Sequence, residues 1–387
     1  MPDKHLSVEQ KSKYKVPFGT VSITPKARGL IEAALTSGFV TRGKLVEEFE
    51  RQFAGLFGVK YAVALSSGTD ADALALAALY DFGARRGDEV IVPALTFVAT
   101  GNAVLQAGFT PVFVDVKCET LNIDVAKIEA AITPKTRAIM PVHLMGKPAD
   151  MDAVMGVAKK HKLYVIEDTA EAHGAKYNGK LCGTIGDMAA FSLYAAHIIT
   201  TIEGGIVITN NEKMAAAVRS LRNHGIEGKF TAMRIGFSAK MNELEAAVGL
   251  GNIEIFDDIL QKRRKNLTRL IEGFKPFEKY FITLKEEGHE KIGPHAFSII
   301  VRENAGFAKD EIVDFLDKEG VDSRNLFYSI PTQCPSYAFL GKKTGDFPEA
   351  EYCSDHGFHI GVHQGLNEEQ IDFALDAVKK FLKGKRL

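Results

Sequence analysis

The chain has 387 residues, more than one hydrophobic core usually organises, and its composition, 46% hydrophobic and 25% charged, is that of an ordinary globular protein. Lys and Arg number 48 against 49 Asp and Glu, a formal net charge of -1, so the charge balance gives no reason to expect nucleic acid or a membrane surface as partner. The N-terminal MPDKHLSVEQKSKYK lacks the apolar stretch of a secretory signal, and no run approaches the roughly 18 apolar residues of a membrane span. The cytoplasm is therefore the expected compartment. Cys118, Cys182, Cys334 and Cys353 form no C-x-x-C pair and are expected to be reduced thiols; an iron–sulfur cluster would call for closer spacing.

Residues 1–16 read as a polar N-terminal arm. From Thr24, PKARGLIEAALTSG has the period of an amphipathic helix ending at glycine, and VEEFERQFAGLFG repeats it. YAVALSS followed by GTDADALALAALYDFG reads as strand, tight turn and helix. The alternation continues. DEVIVPA, TPVFVDV, TRAIMPVHL and LYVIEDTA read as strands, with helices over TFVATGNAVLQAG, DVAKIEAAI and DMDAVMGVAKKH. Such alternation predicts an α/β fold with a mostly parallel central sheet and helices on both faces, and ligands beyond the C-terminal strand ends. Ser66, Ser67, Thr96, His143, Asp168 and Glu171 lie at those ends.

After Asp187 the pattern gives a strand, a loop around His197, and a second strand after Gly204-Gly205. NELEAAVGLGNIEIFDDILQKRRKNLTRLIEGF reads as a long helical connector, its QKRRK run at 261–265 as a solvated face. Short strands and helices beyond about residue 275 indicate a smaller α+β unit. The expected division is an arm over 1–16, a large domain over 17–255 and a small C-terminal domain over 256–387.

Three segments carry candidate chemistry. Ser66-Ser67-Gly68-Thr69, between strand and helix, could present backbone N–H groups to a phosphate, or be only a packing turn. Asp168 ends a buried strand, where an unpaired charge is costly; it could pair with a protonated pyridine nitrogen, or be a helix N-cap. His197 stands where the strand pattern of Phe191-Ser192-Leu193-Tyr194 breaks, open to a structural or a catalytic reading. His143, His173 and His224 fit core or capping roles. His359 and His363, in GFHIGVHQGL, fit a structural or substrate-edge role better than a metal pair.

The ordered segments SSGT, PALTFVATGNAVLQAGFTPVFVDV, MPVHLMG, VIEDTAEAHGAKYNGKLCGTIGDMAAFSLY and EGG, with the later GFSAKMNELEAAVGL and FYSIPTQCPSYAFLG, resemble the DegT/DnrJ/EryC1/StrS family of sugar aminotransferases. These are fold-type-I enzymes dependent on pyridoxal phosphate, and the resemblance runs from about residue 16 to the C-terminus. It implies that Gly68 and Thr69 hold the cofactor phosphate through their backbone and Ser192 through its hydroxyl. It further implies that Phe97 stacks on the pyridine ring, Asp168 pairs with its nitrogen, and Glu171 stands where the family usually has glutamine near the 3-hydroxyl.

Two positions depart from the family. His197 replaces the lysine that binds the cofactor covalently, and Gly236-Phe237-Ser238 replaces G-Y-N, whose asparagine reaches the phosphate across a homodimer with active sites at its interface. The shorter Ser238 puts that reach in doubt. The first departure is similar to a branch of pyridoxamine-phosphate-dependent sugar 3-dehydratases, among them GDP-4-keto-6-deoxymannose 3-dehydratase. That likeness implies removal of the C3 hydroxyl from a nucleotide-linked 4-keto-6-deoxy sugar, with L-glutamate regenerating the cofactor, His197 moving protons and Arg324 meeting substrate phosphate. The alternatives are an aminotransferase whose cofactor lysine became His197, and a cofactor- or sugar-binding relative without turnover.

Overall fold

The structure, a computed structural model, describes residues 13–385. The first twelve residues of the expected arm lie outside it. Within the described part, Val16 is buried and paired with Val321: its N–H donates to the Gly320 carbonyl at 3.0 Å, and its own carbonyl accepts from the Asp322 N–H at 2.9 Å.

Helix α1 (Pro25–Ser37) starts where expected, because the Thr24 hydroxyl caps Ala27 N–H and Pro25 fits the first turn; it ends at Gly38 in the left-handed region. Helix α2 (Lys44–Phe57) lacks a local cap. Its first turn is closed by the buried carboxylate of Glu243, which accepts from the N–H groups of Gly43, Leu45 and Val46 at 2.9 to 3.0 Å.

Then come β1 (Tyr61–Leu65), α3 (Gly68–Ala78), β2 (Glu89–Pro93), α4 (Val98–Gln106), β3 (Thr110–Val114), β4 (Thr136–Ile139), α5 (Met151–His161), β5 (Tyr164–Asp168), β6 (Met188–Ser192) and β7 (Gly205–Thr209). The helix expected over DVAKIEAAI is one α turn, Val125–Ile128, followed by a 3-10 turn. The strands form one seven-stranded sheet in the order β1-β7-β6-β5-β4-β2-β3. Only β7 runs antiparallel to its neighbours, so the expected mostly parallel sheet is present. Strands β5, β6 and β7 are buried almost throughout, as covering on both faces requires.

Helix α6 (Glu212–Arg222) is followed by α7 (Glu243–Glu254) and α8 (Phe256–Phe274). The single connector expected from sequence is thus two helices, broken at Ile255, whose φ of -107° and ψ of 12° leave the helical region. The solvated reading of QKRRK holds for Gln261, Lys262 and Lys265, which are exposed, but not for Arg263. Arg263 is among the largest fully buried side chains, because Ile259, Arg263, Asn266, Leu267, Leu270 and Phe274 make the buried stripe of α8. Beyond it, β8 (Phe281–Thr283), β9 (Ala296–Val301), α9 (Lys309–Glu319), β10 (Ser323–Asn325), α10 (Pro348–His356), β11 (Gly357–Gly361) and α11 (Glu368–Gly384) build an antiparallel four-stranded sheet, ordered β8-β9-β11-β10. No helix among the described residues is long and apolar enough to cross a membrane.

Candidate active site

The turn after β1 is crowded by design. Gly205 lies so close that a Cβ on it would fall 2.0 Å from the Ser67 carbonyl oxygen, and a Cβ on Gly68 would fall 2.6 Å from that of Ser192. These approaches set the Ser192 hydroxyl beside the N-terminus of α3, where the N–H groups of the first turn and the helix dipole favour an anion. Ser66 and Ser67 both donate to Asp70, at 2.7 and 2.8 Å, and Ser67 caps the helix by accepting from Asp70 N–H.

The two acids ending β5 differ sharply. Glu167 accepts from the N–H groups of Gly183, Ile185 and Gly186 at 2.7 to 2.8 Å and lies 3.1 Å from His143 Nε2, so it organises a turn. His143 Nδ1 accepts from Ala149 N–H, which completes a core role for that ring. Asp168, one residue on and so on the other face of the strand, is 4% exposed, and no lysine or arginine among the described residues pairs with it. It accepts only from the Thr100 hydroxyl at 2.8 Å and Ala170 N–H at 3.2 Å. Burial raises its pKa, and burial with Asp168 nearby raises that of Asp72, on α3, well above the carboxylate range. A buried carboxylate without a cation leaves room for a positively charged partner. Thr100 was missed by sequence reasoning, although it lies one helical turn from Thr96, whose hydroxyl is 3.0 Å away. Phe97, at the N-cap of α4, leaves 56% of its surface exposed, a flat apolar face 5.5 Å from the Phe327 ring centroid.

The loop after β6 turns His197 inward. Its ring lies in a group with His295, at a centroid distance of 5.1 Å and half-buried like His197 itself, and with the fully buried His173, at 6.0 Å. Among the described residues, no protein group bonds His197 Nδ1, His295 Nδ1 or either nitrogen of His173. Glu171 joins the group: its Oε1 is 3.4 Å from His295 Nε2, while its Oε2 accepts from Met145 N–H at 2.7 Å. Burial pushes the Glu171 pKa up to about 8. Burial, and then the Arg263 guanidinium, push that of His197 down to about 3. Arg263 donates to Gln364 Oε1 at 2.8 Å, to the Pro294 carbonyl at 3.4 Å and to the His197 carbonyl at 3.5 Å. It therefore holds the loop while opposing charge on its rings. Changing Arg263 to Met is expected to raise the pKa of His197 and His295, read from ring resonances in histidine NMR titrations; unchanged midpoints would remove Arg263 from this account.

His295 and Arg263 were not identified from sequence. Other candidates lie apart from this group. Ser238 is exposed and its hydroxyl accepts from Lys240 at 2.8 Å, although the neighbouring Ala239 carbonyl binds Ser66 N–H beside the phosphate-ready turn. Arg324, on β10, is exposed, with its guanidinium 5.1 Å from the Phe18 ring centroid and 3.9 Å from Asp322. His363 is structural: Nε2 lies 3.0 Å from the Pro17 carbonyl, and Nδ1 accepts from Gly365 N–H. His224 sits beyond α6 with a φ of 60°. No group of three or more metal-ligating side chains assembles among the described residues, and the four cysteines are free.

A strand-end turn with N–H groups open to an anion, a buried acid without a cation and an exposed aromatic face together have the chemistry to hold a flat, phosphorylated, cationic group. Over residues 22–379 the chain matches the DegT/DnrJ/EryC1/StrS aminotransferase family, and it belongs to that family. It is 39% identical to the GDP-perosamine synthase of Caulobacter vibrioides over 91% of this chain and 94% of that one. It is 32% identical to the GDP-4-keto-6-deoxy-D-mannose 3-dehydratase of Yersinia pseudotuberculosis, over 96% and 100%. A putative sugar aminotransferase of Streptococcus pneumoniae, Spr1654, solved in PMP and PLP forms, shares the fold-type-I architecture: in its PMP form the TM-score is 0.89 at 26% identity, covering 96% of this chain and 99% of that one.

Proposed function

We propose that the protein is a pyridoxamine-phosphate-dependent 3-dehydratase that removes the C3 hydroxyl from a GDP-linked 4-keto-6-deoxy sugar, glutamate restoring the amine form of the cofactor. The observation that carries this reading is His197, a half-buried imidazole kept neutral at the position where family members hold the cofactor through lysine. Lys147 is the single buried lysine among the described residues, and its Nζ is engaged by Glu290 and the Lys285 carbonyl, so it offers no substitute. The names of the two quoted relatives both carry GDP sugars or their amino product, which supports the nucleotide.

The residues fit the cofactor. Gly68 and Thr69 N–H groups and the Ser192 hydroxyl would bind its phosphate, Phe97 would stack on the ring, and Asp168 would accept from the ring N–H and satisfy its own missing charge. Glu171 would sit toward the 3-hydroxyl. When bound, pyridoxamine phosphate supplies an amine for the sugar's keto carbon and a ring that accepts electrons as a neighbouring C–H bond ionises. His197 then acts as base and, once protonated, as acid toward the departing C3 hydroxyl. Arg324 would meet the substrate's diphosphate. Phe230, Met233 and Ile235 are 90%, 61% and 81% exposed just before Ser238, which supports docking of this segment on a second copy, with Ser238 reaching toward the partner's phosphate site.

The test is product identity. Incubation with pyridoxamine phosphate, glutamate and GDP-4-keto-6-deoxymannose is expected to yield a 3-deoxy sugar and ammonia. An amino sugar instead would favour the aminotransferase reading, which the 39% identity to a GDP-perosamine synthase supports; tight binding without product would mean a non-catalytic relative. A second expectation concerns the phosphate turn. Gly205→Ala pushes against Ser67, so affinity for pyridoxamine phosphate should fall about tenfold or more, the scale of one lost charge-assisted hydrogen bond. Fluorescence titration reads this, and unchanged affinity would move the phosphate elsewhere.

A further inference from the structure

Resting on that reading, we propose that His295 is a positioning and proton-relay residue that links His197 to a proton reservoir on Glu171. The geometry begins in the backbone beside Glu171. Gly146 has a φ of 79°, and a Cβ there would fall 1.7 Å from the Gly293 carbonyl oxygen; its own carbonyl accepts from Gly293 N–H at 2.8 Å. This contact locks the loop after β4 onto the segment entering β9. On one side it holds Met145, a non-glycine residue at a φ of 54°, with its N–H on Glu171. On the other it holds His295, two residues past Gly293, with Nε2 toward the other oxygen of the same carboxyl.

His295 Nδ1 is left buried and unbonded, as is His197 Nδ1, with the two rings 5.1 Å apart between centroids. A proton that passes between these neighbouring rings leaves and enters at those open nitrogens. Burial disfavours charge on both His295 and Glu171; beside it Arg263, and His197, His359 and His173 whenever they are protonated, oppose protonation of His295, while Asp168 opposes ionisation of Glu171. Protons are thus disfavoured on the imidazoles and favoured on the carboxyl.

The transfer moves one proton and no electrons. Glu171 gives its proton to His295 Nε2, and His295 passes the proton from Nδ1 to His197, leaving Glu171 a carboxylate and His295 in its other tautomer. His197 is then charged to protonate the departing hydroxyl. The reverse transfer clears a proton that His197 has removed from carbon.

Two measurements test this. In the cofactor-free protein, infrared titration follows the Glu171 carboxyl, assigned with Glu171→Gln. With His295→Leu its midpoint should rise by about one pH unit, because the ring that shares its charge is gone; an unmoved midpoint means the groups are uncoupled and overturns the relay, whatever the enzyme's reaction. In the loaded enzyme, deuterium at the cofactor's amine-bearing carbon should wash out about 100-fold more slowly in both His295→Gln and His295→Leu, with the pH dependence of wash-out flattened. Glutamine can still bond Glu171 but cannot relay, so wild-type wash-out in His295→Gln would reduce His295 to a structural contact. No wash-out in the wild-type protein would count against the proposed function, while the infrared result would still decide the relay.

Discussion

With His197 changed to asparagine, deoxygenation should slow by about 10²- to 10⁴-fold, the usual contribution of a positioned acid–base group, while the protein stays folded and keeps its affinity for pyridoxamine phosphate. The loop is held through main-chain groups that the substitution leaves in place. Arg263 bonds the His197 carbonyl, the His197 N–H donates to the Tyr194 carbonyl at 3.0 Å, and the Leu193 carbonyl accepts from Thr201 N–H at 2.9 Å. Asparagine has nearly the polarity and less than the volume of histidine, so the buried group loses a titrating ring without gaining a clash. The cofactor contacts proposed for Gly68, Thr69, Phe97, Asp168 and Ser192 do not involve the ring. Single-turnover product formation, set beside a cofactor titration and thermal unfolding of the same variant, separates these effects. Turnover within a few-fold of wild type would show that another group moves the proton. His197→Lys sharpens the comparison: a lysine there can bind the cofactor covalently and release it by exchange, so the product should shift toward an amino sugar.

The strand-end placement of the candidate residues was readable because it obeys local rules. Strands alternating with helices place ligands at strand C-termini, and Ser66, Ser67, Asp168, Glu171 and Ser192 lie there. Asp168 was picked out from sequence, but the structural role of its neighbour Glu167 was not, since the three N–H groups that satisfy Glu167 come from the Gly183–Gly186 turn. Arg263 was hidden by its setting in a basic run. Charges on a helix default to solvent, and only the spacing to Ile259, Asn266, Leu267 and Leu270 marks its burial. His295 had no local signal at all. Its place depends on Gly146 meeting Gly293, a contact between distant segments that two glycines in ordinary-looking loops do not announce. Long-range approach of backbone to backbone is the part of this fold that local pattern does not carry.

The same imidazoles should make the cofactor-free protein sensitive to acid, its stability falling as pH drops from about 5.5 to 4.5. Burial lowers the pKa of His197 and of His359 to about 3, helped in turn by Arg263 and Arg324, and that of His363 to about 4. His173 and His295 are lowered by burial and then by the neighbouring rings and Arg263. In the unfolded chain these rings take up protons as pH falls through 6.5, whereas the folded protein refuses them. The unfolded state therefore binds more protons, and stability must fall with pH. Asp72, Asp168, Glu171, Asp187 and Glu245 act in the opposite sense, because burial raises their pKa, and so does His143, whose burial is outweighed by its neighbours Cys182 and Glu167, which raise its pKa to about 10. By about pH 5.5 the unfolded chain holds most of the five imidazole protons and has charged the His143 ring as well, so unfolding still takes up protons, at about 1.4 kcal/mol per net proton and pH unit. Urea unfolding across this window measures the slope directly. His359→Leu, which removes a buried ring whose Nδ1 has no protein partner, should reduce it by about 1.4 kcal/mol per pH unit. A stability that stayed flat or rose on acidification would mean that the buried rings are already charged, and that His197 cannot begin its work as a base.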